Sequence, residues 1–360
     1  MSNILYILAA LLLLGILIAV HEFGHFLAAR LTGIAVREFA IGFGPKLLQW
    51  TSKKHGTRFS IRLLPLGGFN SFYGEDDLTG KDDQDPRNYR LQPVWKRLVM
   101  TLVGPLMNLL LAYVVITAWL WIGGVTVVSD YPVLTQIEAG SPAEQAGLAA
   151  GDQVMAVGET STQHLTITET TNLFAEWQPG DNPITLTVKR GEETLEVQIQ
   201  SLFHDEETGR YRMGVIIGNV AIGRQKIPLW DAMRSSWHAC VFYGSTIIQA
   251  LREVFTTRDG VKNMMGIVGT ISETSTVIRT DGWDAFFELL AIISVNLGLV
   301  NLLPIPGLDG SRVLFLLIEA VFRKPVPPEK EAAIHLVGFG LLLLLALFLT
   351  YQDIMRLIQR

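Results

Sequence analysis

The fold turns on residues 4–31, ILYILAALLLLGILIAVHEFGHFLAARL, an apolar run with His21, Glu22 and His25 embedded in it. At 1.5 Å per residue, about 20 apolar residues cross a hydrocarbon core of about 30 Å, so the run reads as a membrane helix. A cleaved leader fits poorly: no Lys or Arg precedes the run and no small-residue cleavage site follows. On a helix His21 and His25 are four apart and share a face, so both imidazoles can reach one ion. Glu22 stands beside them, placed to take a proton from metal-bound water. Ionisable groups inside lipid cost several kcal/mol, on the order of 3 each at the helix centre, and persist there for function.

Outward from this helix, three more segments are long and apolar enough to span: about 98–122, 285–303 and 333–351. The composition agrees, with 49% hydrophobic residues beside 18% charged ones, as expected of membrane helices joined to an aqueous portion. A net charge of −5 with no dense basic tract argues against a general nucleic-acid binder. Cys240 is the single cysteine, so no disulfide forms within the chain, and a metal site must draw on His, Asp or Glu. Basic residues crowd 32–97 (Arg37, Lys46, Arg62, Lys81 and Arg97 among them), and Arg312, Arg323, Lys324 and Lys330 follow the third span. Positive-inside counting puts these two connections in the cytoplasm and segment 124–284 outside.

A catalytic tetrahedral site takes a third protein ligand and keeps one position open. Asp309, in NLLPIPGLDGSR, is the best candidate. Pro304 and Pro306 cannot continue a helix, and irregular backbone at membrane depth is tolerated only where it lines a wet or protein-filled cavity. His335 and Glu319 are the other groups close enough to an apolar span on that side. Between the first two spans, FAIGFGPKLLQW (39–50) and TRFSIRLLPLGGF (57–69) read as extended runs around the polar turn KKHG. VLTQI, QVMAV, ITLTVKR, TLEVQIQ and YRMGVII are strand-like, and SPAEQAG and TITETTNLFAEW helix-like, which marks a small aqueous domain. Residues 228–257 form an amphipathic stretch with Trp230, Met233, Trp237 and Phe242 spaced for a helix at the membrane surface or packed in a core.

HEFGH on the first span, with Asn301 and Asp309 spaced N-x₇-D in NLLPIPGLDG, resembles the site-2 protease family of intramembrane zinc metalloproteases. The closest likeness is to the bacterial branch that cleaves anti-sigma factors in regulated intramembrane proteolysis. GFGP (42–45), PLGGF (65–69), GPLMN (104–108) and SVNLGLVNLLPIPGLDG (294–310) extend the match along nearly the whole chain, and SPAEQAGLAAGD (141–152) is PDZ-like. The resemblance implies zinc held by His21, His25 and Asp309, with Glu22 as base and then acid. It gives Asn296 and Asn301 a part in orienting substrate or stabilising the oxyanion, the alternative for Asn296 being helix–helix hydrogen bonding. Asn108 matches a second-span asparagine and is read as structural. In a circularly permuted PDZ domain, Met213, Gly214 and Val215 would line the peptide groove. Three departures stand out: one PDZ-like domain rather than two, Ser311 where the family often has a second glycine, and MGIVGTI without the usual proline.

The expected architecture is a polytopic α-helical membrane protein with four transmembrane helices, a membrane-associated β-hairpin and an inserted PDZ-like α+β domain. Its parts are a first span with HExxH (1–32), a cytoplasmic-side loop with the hairpin (33–97) and a second span (98–123). An extracytoplasmic PDZ-like domain (124–222), an amphipathic linker (223–284), a third span (285–304), an LDG-containing loop (305–332) and a fourth span (333–352) complete it. The expected activity is hydrolysis of a peptide bond in or near a transmembrane segment of a single-pass substrate, either an anti-sigma-factor-like protein or a signal-peptide remnant. The location is the bacterial inner membrane, with the bilayer and a peptide ligand of the PDZ-like domain as further partners. The alternative is an inactive scaffold that binds peptides through that domain; an intact Glu22 argues against it, because a structural metal site needs no base.

Overall fold

The computed structural model describes residues 3–75, 85–175, 183–205, 210–256 and 265–359. Lys81, Glu176 and Trp177 of the readings above lie outside the described residues. Two compact units result, one of residues 1–121 with 228–360 and the other of 122–227.

The first unit opens with α1 (Asn3–Thr32). Gly33 (φ 82°) stops this helix: the Ile34 N–H returns 2.8 Å to the Ala29 carbonyl, and Ile34 packs with Ala28 and Ala29. The chain then runs through β1 (Val36–Thr51) and β2 (Arg58–Phe72). These are more than a plain hairpin, because both strands bend. Residues 46–51 pair with 58–62, while 38–41 lie between 58–61 on one side and 68–71 on the other. The bends fall at Gly42–Gly44 and near Pro65–Gly67, where a proline removes a ladder donor and glycines hold positive φ. Phe26 of α1 meets Phe39 and Phe59 edge-on, with centroids 5.5 and 5.6 Å away, and this seats the sheet on the helix. Phe43, Leu47, Leu48, Trp50, Leu63 and Leu64 remain exposed, an apolar surface far more at home in lipid than in water.

A single 3-10 turn, Tyr89–Leu91, leads into α2 (Val94–Gly123). The second unit then begins with β3 (Val125–Val128), β4 (Val133–Ile137) and the short α3 (Pro142–Gln145). Ser141 caps α3, its hydroxyl accepting from the Glu144 N–H at 3.3 Å. Next come β5 (Gln153–Val157), β6 (Thr160–Ser161), α4 (Ile167–Ala175), β7 (Ile184–Arg190) and β8 (Glu193–Ile199). The strands β9 (Phe203–Asp205), β10 (Arg210–Arg212), β11 (Val215–Gly218) and β12 (Ala221–Gln225) close the unit. An antiparallel sheet ordered β11-β4-β5-β7-β8, with β6 on β5, covers a core of Leu134, Leu148, Val154, Leu186, Val188 and Ile199. β12 pairs with β3, so the unit's two ends meet in one ladder.

Back in the first unit come α5 (Leu229–Thr256), α6 (Ile267–Asp281), α7 (Trp283–Asn301), α8 (Asp309–Phe322) and α9 (Pro328–Gln359). Among the described residues, four helices, containing 4–32, 94–123, 283–301 and 329–356, are long and apolar enough to cross a membrane. This makes the chain a multi-pass membrane protein. α5 packs Ala239, Cys240, Tyr243 and Ile247 against Ala291 and Val295 of α7, and leaves Trp230, Trp237 and Phe242 outward.

One expectation needs correcting. Residues 305–332, read as a loop, contain α8. Pro304 and Pro306 end α7 as expected, but the chain restarts at once: Leu308 is the N-cap, and apolar residues recur at helical spacing to Phe322. Asp309 is therefore the first residue of a helix.

Candidate metal centre

His21 and His25 are buried on α1, and their Nε2 atoms face each other across 3.2 Å. Asp309 Oδ2 lies 3.1 Å from His21 Nε2 and 3.3 Å from His25 Nε2. Of the groups of His, Cys, Asp or Glu able to hold a metal, this is the one found among the described residues.

The triangle can be tested against zinc chemistry. A tetrahedron with bonds of about 2.05 Å has ligand–ligand edges of about 3.3 Å, close to all three distances here. Two imidazole lone pairs and a carboxylate oxygen converging in a buried site repel or go unsatisfied unless a cation joins them. Asp309 Oδ2 is indeed buried without a hydrogen-bond partner. The residues fit zinc.

A ring that presents Nε2 to a metal carries its proton on Nδ1, and what Nδ1 touches fixes the ring. His25 Nδ1 lies 2.9 Å from the Met100 carbonyl, which accepts the hydrogen bond from that N–H. His21 Nδ1 lies 3.3 Å from the Asn108 amide, whose oxygen is buried without a partner. Half a turn of the amide lets this oxygen accept from Nδ1–H. Ser294 anchors Asn108 by donating 2.7 Å to its carbonyl. Asn108 thus supports His21, a role the sequence did not reveal. Close approach makes this packing feasible: a Cβ on Gly24 would lie 2.7 Å from the Val103 carbonyl, and one on Gly104 only 2.2 Å from His25 Nε2.

Asp309 is delivered from the other end of the chain. A Cβ on Gly310 would lie 2.2 Å from the Leu303 carbonyl, so the glycine after Asp309 lets α8 start hard against the end of α7. The Gly307 N–H donates 3.3 Å to His335 Nδ1, so His335 buttresses this break rather than joining the triangle. Glu319 pairs closely with Arg97 of α2, and Arg312 with Glu75 beyond β2. These contacts tie α8 to its neighbours at two more points.

Glu22 is half-buried on the same helix. Asn70 of β2 donates from Nδ2 to the Glu22 carboxylate and to the Glu22 carbonyl, both at 2.8 Å. Asn70 was not singled out from sequence. Asn301 is half-buried and Asn296 exposed, and no side-chain hydrogen bond of either is found among the described residues, so the helix–helix alternative for Asn296 gains no support.

In the second unit Met213 is a core residue, and its carbonyl accepts from the Ala143 N–H at 3.1 Å. The carbonyl of Gly214 accepts from the Glu138 N–H at 2.9 Å. Val215 begins β11, partly buried against the core. The Met213 side chain therefore packs inward rather than lining an open groove.

A His-Glu-His helix in a multi-pass apolar scaffold, met by a carboxylate from a distant helix break, defines an intramembrane metallopeptidase. The chain belongs to Peptidase family M50, whose pattern matches residues 9–345. It is similar to the regulator of sigma-W protease RasP of Bacillus subtilis, at 30% identity over 98% of each chain. The zinc metalloprotease RasP of Oceanobacillus iheyensis is also 30% identical, over 98% of this chain and 99% of its own. The solved PDZ domain of an SdrC-like protein from Listeria monocytogenes aligns with 26% of this chain and 93% of its own, at 19% identity and a TM-score of 0.22.

Proposed function

We propose that this chain is a zinc metalloendopeptidase that hydrolyses a peptide bond in or near a transmembrane segment of a membrane-protein substrate. His21, His25 and Asp309 hold the zinc, and the triangle of 3.1, 3.2 and 3.3 Å between their donor atoms is the observation that carries the reading. Zinc, when bound, polarises the attacking water and the scissile carbonyl. Glu22 takes the proton from that water and passes it to the leaving amine. Asn301 and Asn296 orient the substrate or donate to the oxyanion. The name of the Bacillus subtilis relative, regulator of sigma-W protease, supports a substrate of the anti-sigma-factor type, although a signal-peptide remnant would meet the same chemistry.

A helical substrate hides its carbonyls in its own hydrogen bonds, and cleavage needs an extended stretch. An open edge of the β1–β2 sheet satisfies the freed groups in a dry setting. The second unit is a PDZ-like domain whose β11, paired with β4, offers its other edge to a peptide. Basic residues in 32–97 and after α7 support a cytoplasmic-membrane protein with this unit outside.

The scaffold alternative is weaker, because a peptide-binding scaffold has no use for a carboxylate held beside the metal donors. The full-length protein should carry one zinc, lost in His25→Ala. It should cleave a single-span test peptide, while Glu22→Gln keeps its zinc and loses cleavage. Undiminished cleavage by Glu22→Gln would overturn the reading.

A further inference from the structure

We infer that Asn70 is a positioning residue that fixes the Glu22 carboxylate for proton transfer, so that the β-sheet itself sets the base. The inference rests on the reading of Glu22 as the base and extends it to a residue outside the metal-binding motifs.

Glutamate has three side-chain torsions, and on a helix its carboxylate sweeps several ångströms unless held. A base must sit within hydrogen-bond reach of the water it deprotonates, and about 1 Å of misplacement can cost on the order of 100-fold in rate. A single amide nitrogen does the holding here. Asn70 Nδ2 reaches Glu22 Oε2 and the Glu22 main-chain oxygen, each at 2.8 Å. Because both acceptors belong to one residue, the amide locks the carboxylate relative to its own stretch of helix. One bond goes to Oε2, which leaves the second carboxylate oxygen to meet the proton.

The strand is shaped for this contact. Asn70 pairs with Phe39 in the ladder, so its backbone is fixed by the sheet. Two residues earlier, a Cβ on Gly68 would fall 2.8 Å from Glu22 Cγ and 3.0 Å from the Ala40 carbonyl. The missing side chain lets β2 lie directly on the Glu22 stem, and the ring contacts of Phe26 with Phe39 and Phe59 hold the sheet to α1 just beyond. Asn70 Oδ1 is buried without a hydrogen-bond partner, which is costly for a residue serving packing alone. If an extended substrate docks on this sheet, the element that receives the substrate also places the base.

The test uses the full-length zinc-loaded protein in detergent and a single-span fluorogenic peptide. Asn70→Leu keeps the approximate shape and deletes the donor, Asn70→Asp keeps the shape more closely and puts an acceptor there, and Asn70→Gln restores an amide. General-base catalysis contributes about 100- to 10,000-fold, so losing its positioning should remove about 10- to 100-fold. The expected result is a kcat lowered by that factor in Asn70→Leu and Asn70→Asp. KM should stay within about twofold, zinc should remain at one per chain with unchanged thermal unfolding, and Asn70→Gln should recover part of the rate. The inference is overturned if Asn70→Leu and Asn70→Asp cleave like wild type while Glu22→Gln is inactive. It is equally overturned if both lose zinc or stability in proportion to activity, which would make Asn70 a packing residue. If Glu22→Gln cleaves normally, the base assignment itself fails first, and that outcome is distinguishable from the other two.

Discussion

His25 sits in a seat with almost no spare room, and glycine makes the seat. Any side chain on Gly104 starts 2.2 Å from His25 Nε2, and the ring cannot retreat without giving up the Met100 carbonyl at 2.9 Å. Gly104→Ala should therefore keep the helix and lose the metal, with zinc affinity weakened by about 10- to 100-fold, as when a ligand's supporting group is removed. Zinc content after dialysis against a weak chelator measures this. Gly15→Ala on the same helix bundle is the control, since a Cβ there meets nothing within 4 Å. Equal zinc retention by the two variants would mean that the ring has another place to go. His21, Glu22, His25 and Asp309 could be picked out in sequence because helical spacing and ionisable groups in an apolar run are local properties. Asn108 could be picked out only as a structural residue, without its partner, and Asn70 not at all. They meet His21 and Glu22 across 87 and 48 residues of chain, and an asparagine in a helix or strand carries no local sign of such a partner.

Among the elements, α8 decides whether the third donor arrives. It is held by the tight start at Gly310 and by two ion pairs, Arg97 with Glu319 and Arg312 with Glu75. The first pair is largely buried, with side chains 10% and 16% exposed. Removing one partner strands the other charge away from water, which costs about 3–5 kcal/mol, whereas removing both avoids most of that cost. Arg97→Gln should thus lower thermal stability in detergent more than Arg97→Gln combined with Glu319→Gln, and the single variant should also shed zinc as α8 loosens. A double variant no more stable than the single one would show that the pair is not coupled. This helix was the part of the fold hardest to read. The break at Pro304 and Pro306 was legible and correct, but the apolar run after it is too short to span and is followed by Pro325, Pro327 and Pro328. Arg312 and Arg323 then read as ordinary loop charges. Only the folded arrangement shows Arg312 paired with Glu75. The β1–β2 element was partly legible: the two extended runs and their turn follow from residue pattern, while the double pairing of 38–41 depends on bends at glycine and proline that no alternation encodes.

For the whole molecule, two units with separate cores should respond to different reagents. The unit of 122–227 has no part in the metal triangle, and its stability leans on an ion pair of its own, between the buried Asp152 and the exposed Arg190. The Asp152 carboxylate takes the Arg190 Nε and Nη2 donors at 2.7 Å each and the Ala149 N–H at 2.9 Å. Burial pushes the Asp152 carboxyl up, but the Arg190 and Ala149 hydrogen bonds outweigh it and hold it below the ordinary carboxylate value. A group whose folded pKa is depressed stabilises fully above its unfolded value, about 3.9 for Asp, and loses that contribution as pH falls through the folded value. Acidification below about pH 4 should therefore lower the unfolding transition of this unit, and Asp152→Asn should flatten that dependence while lowering stability at pH 7. Chelation acts on the other unit: stripping an ion bound only by the folded form removes RT ln(1 + [L]/Kd) of stability. Differential scanning calorimetry of the detergent-solubilised chain should resolve two transitions, one moved by chelator at neutral pH and the other by Asp152→Asn. If chelator and Asp152→Asn move a single common transition, the units unfold as one, and the separation of an aqueous domain from the metal-bearing bundle fails as an account of this chain's stability.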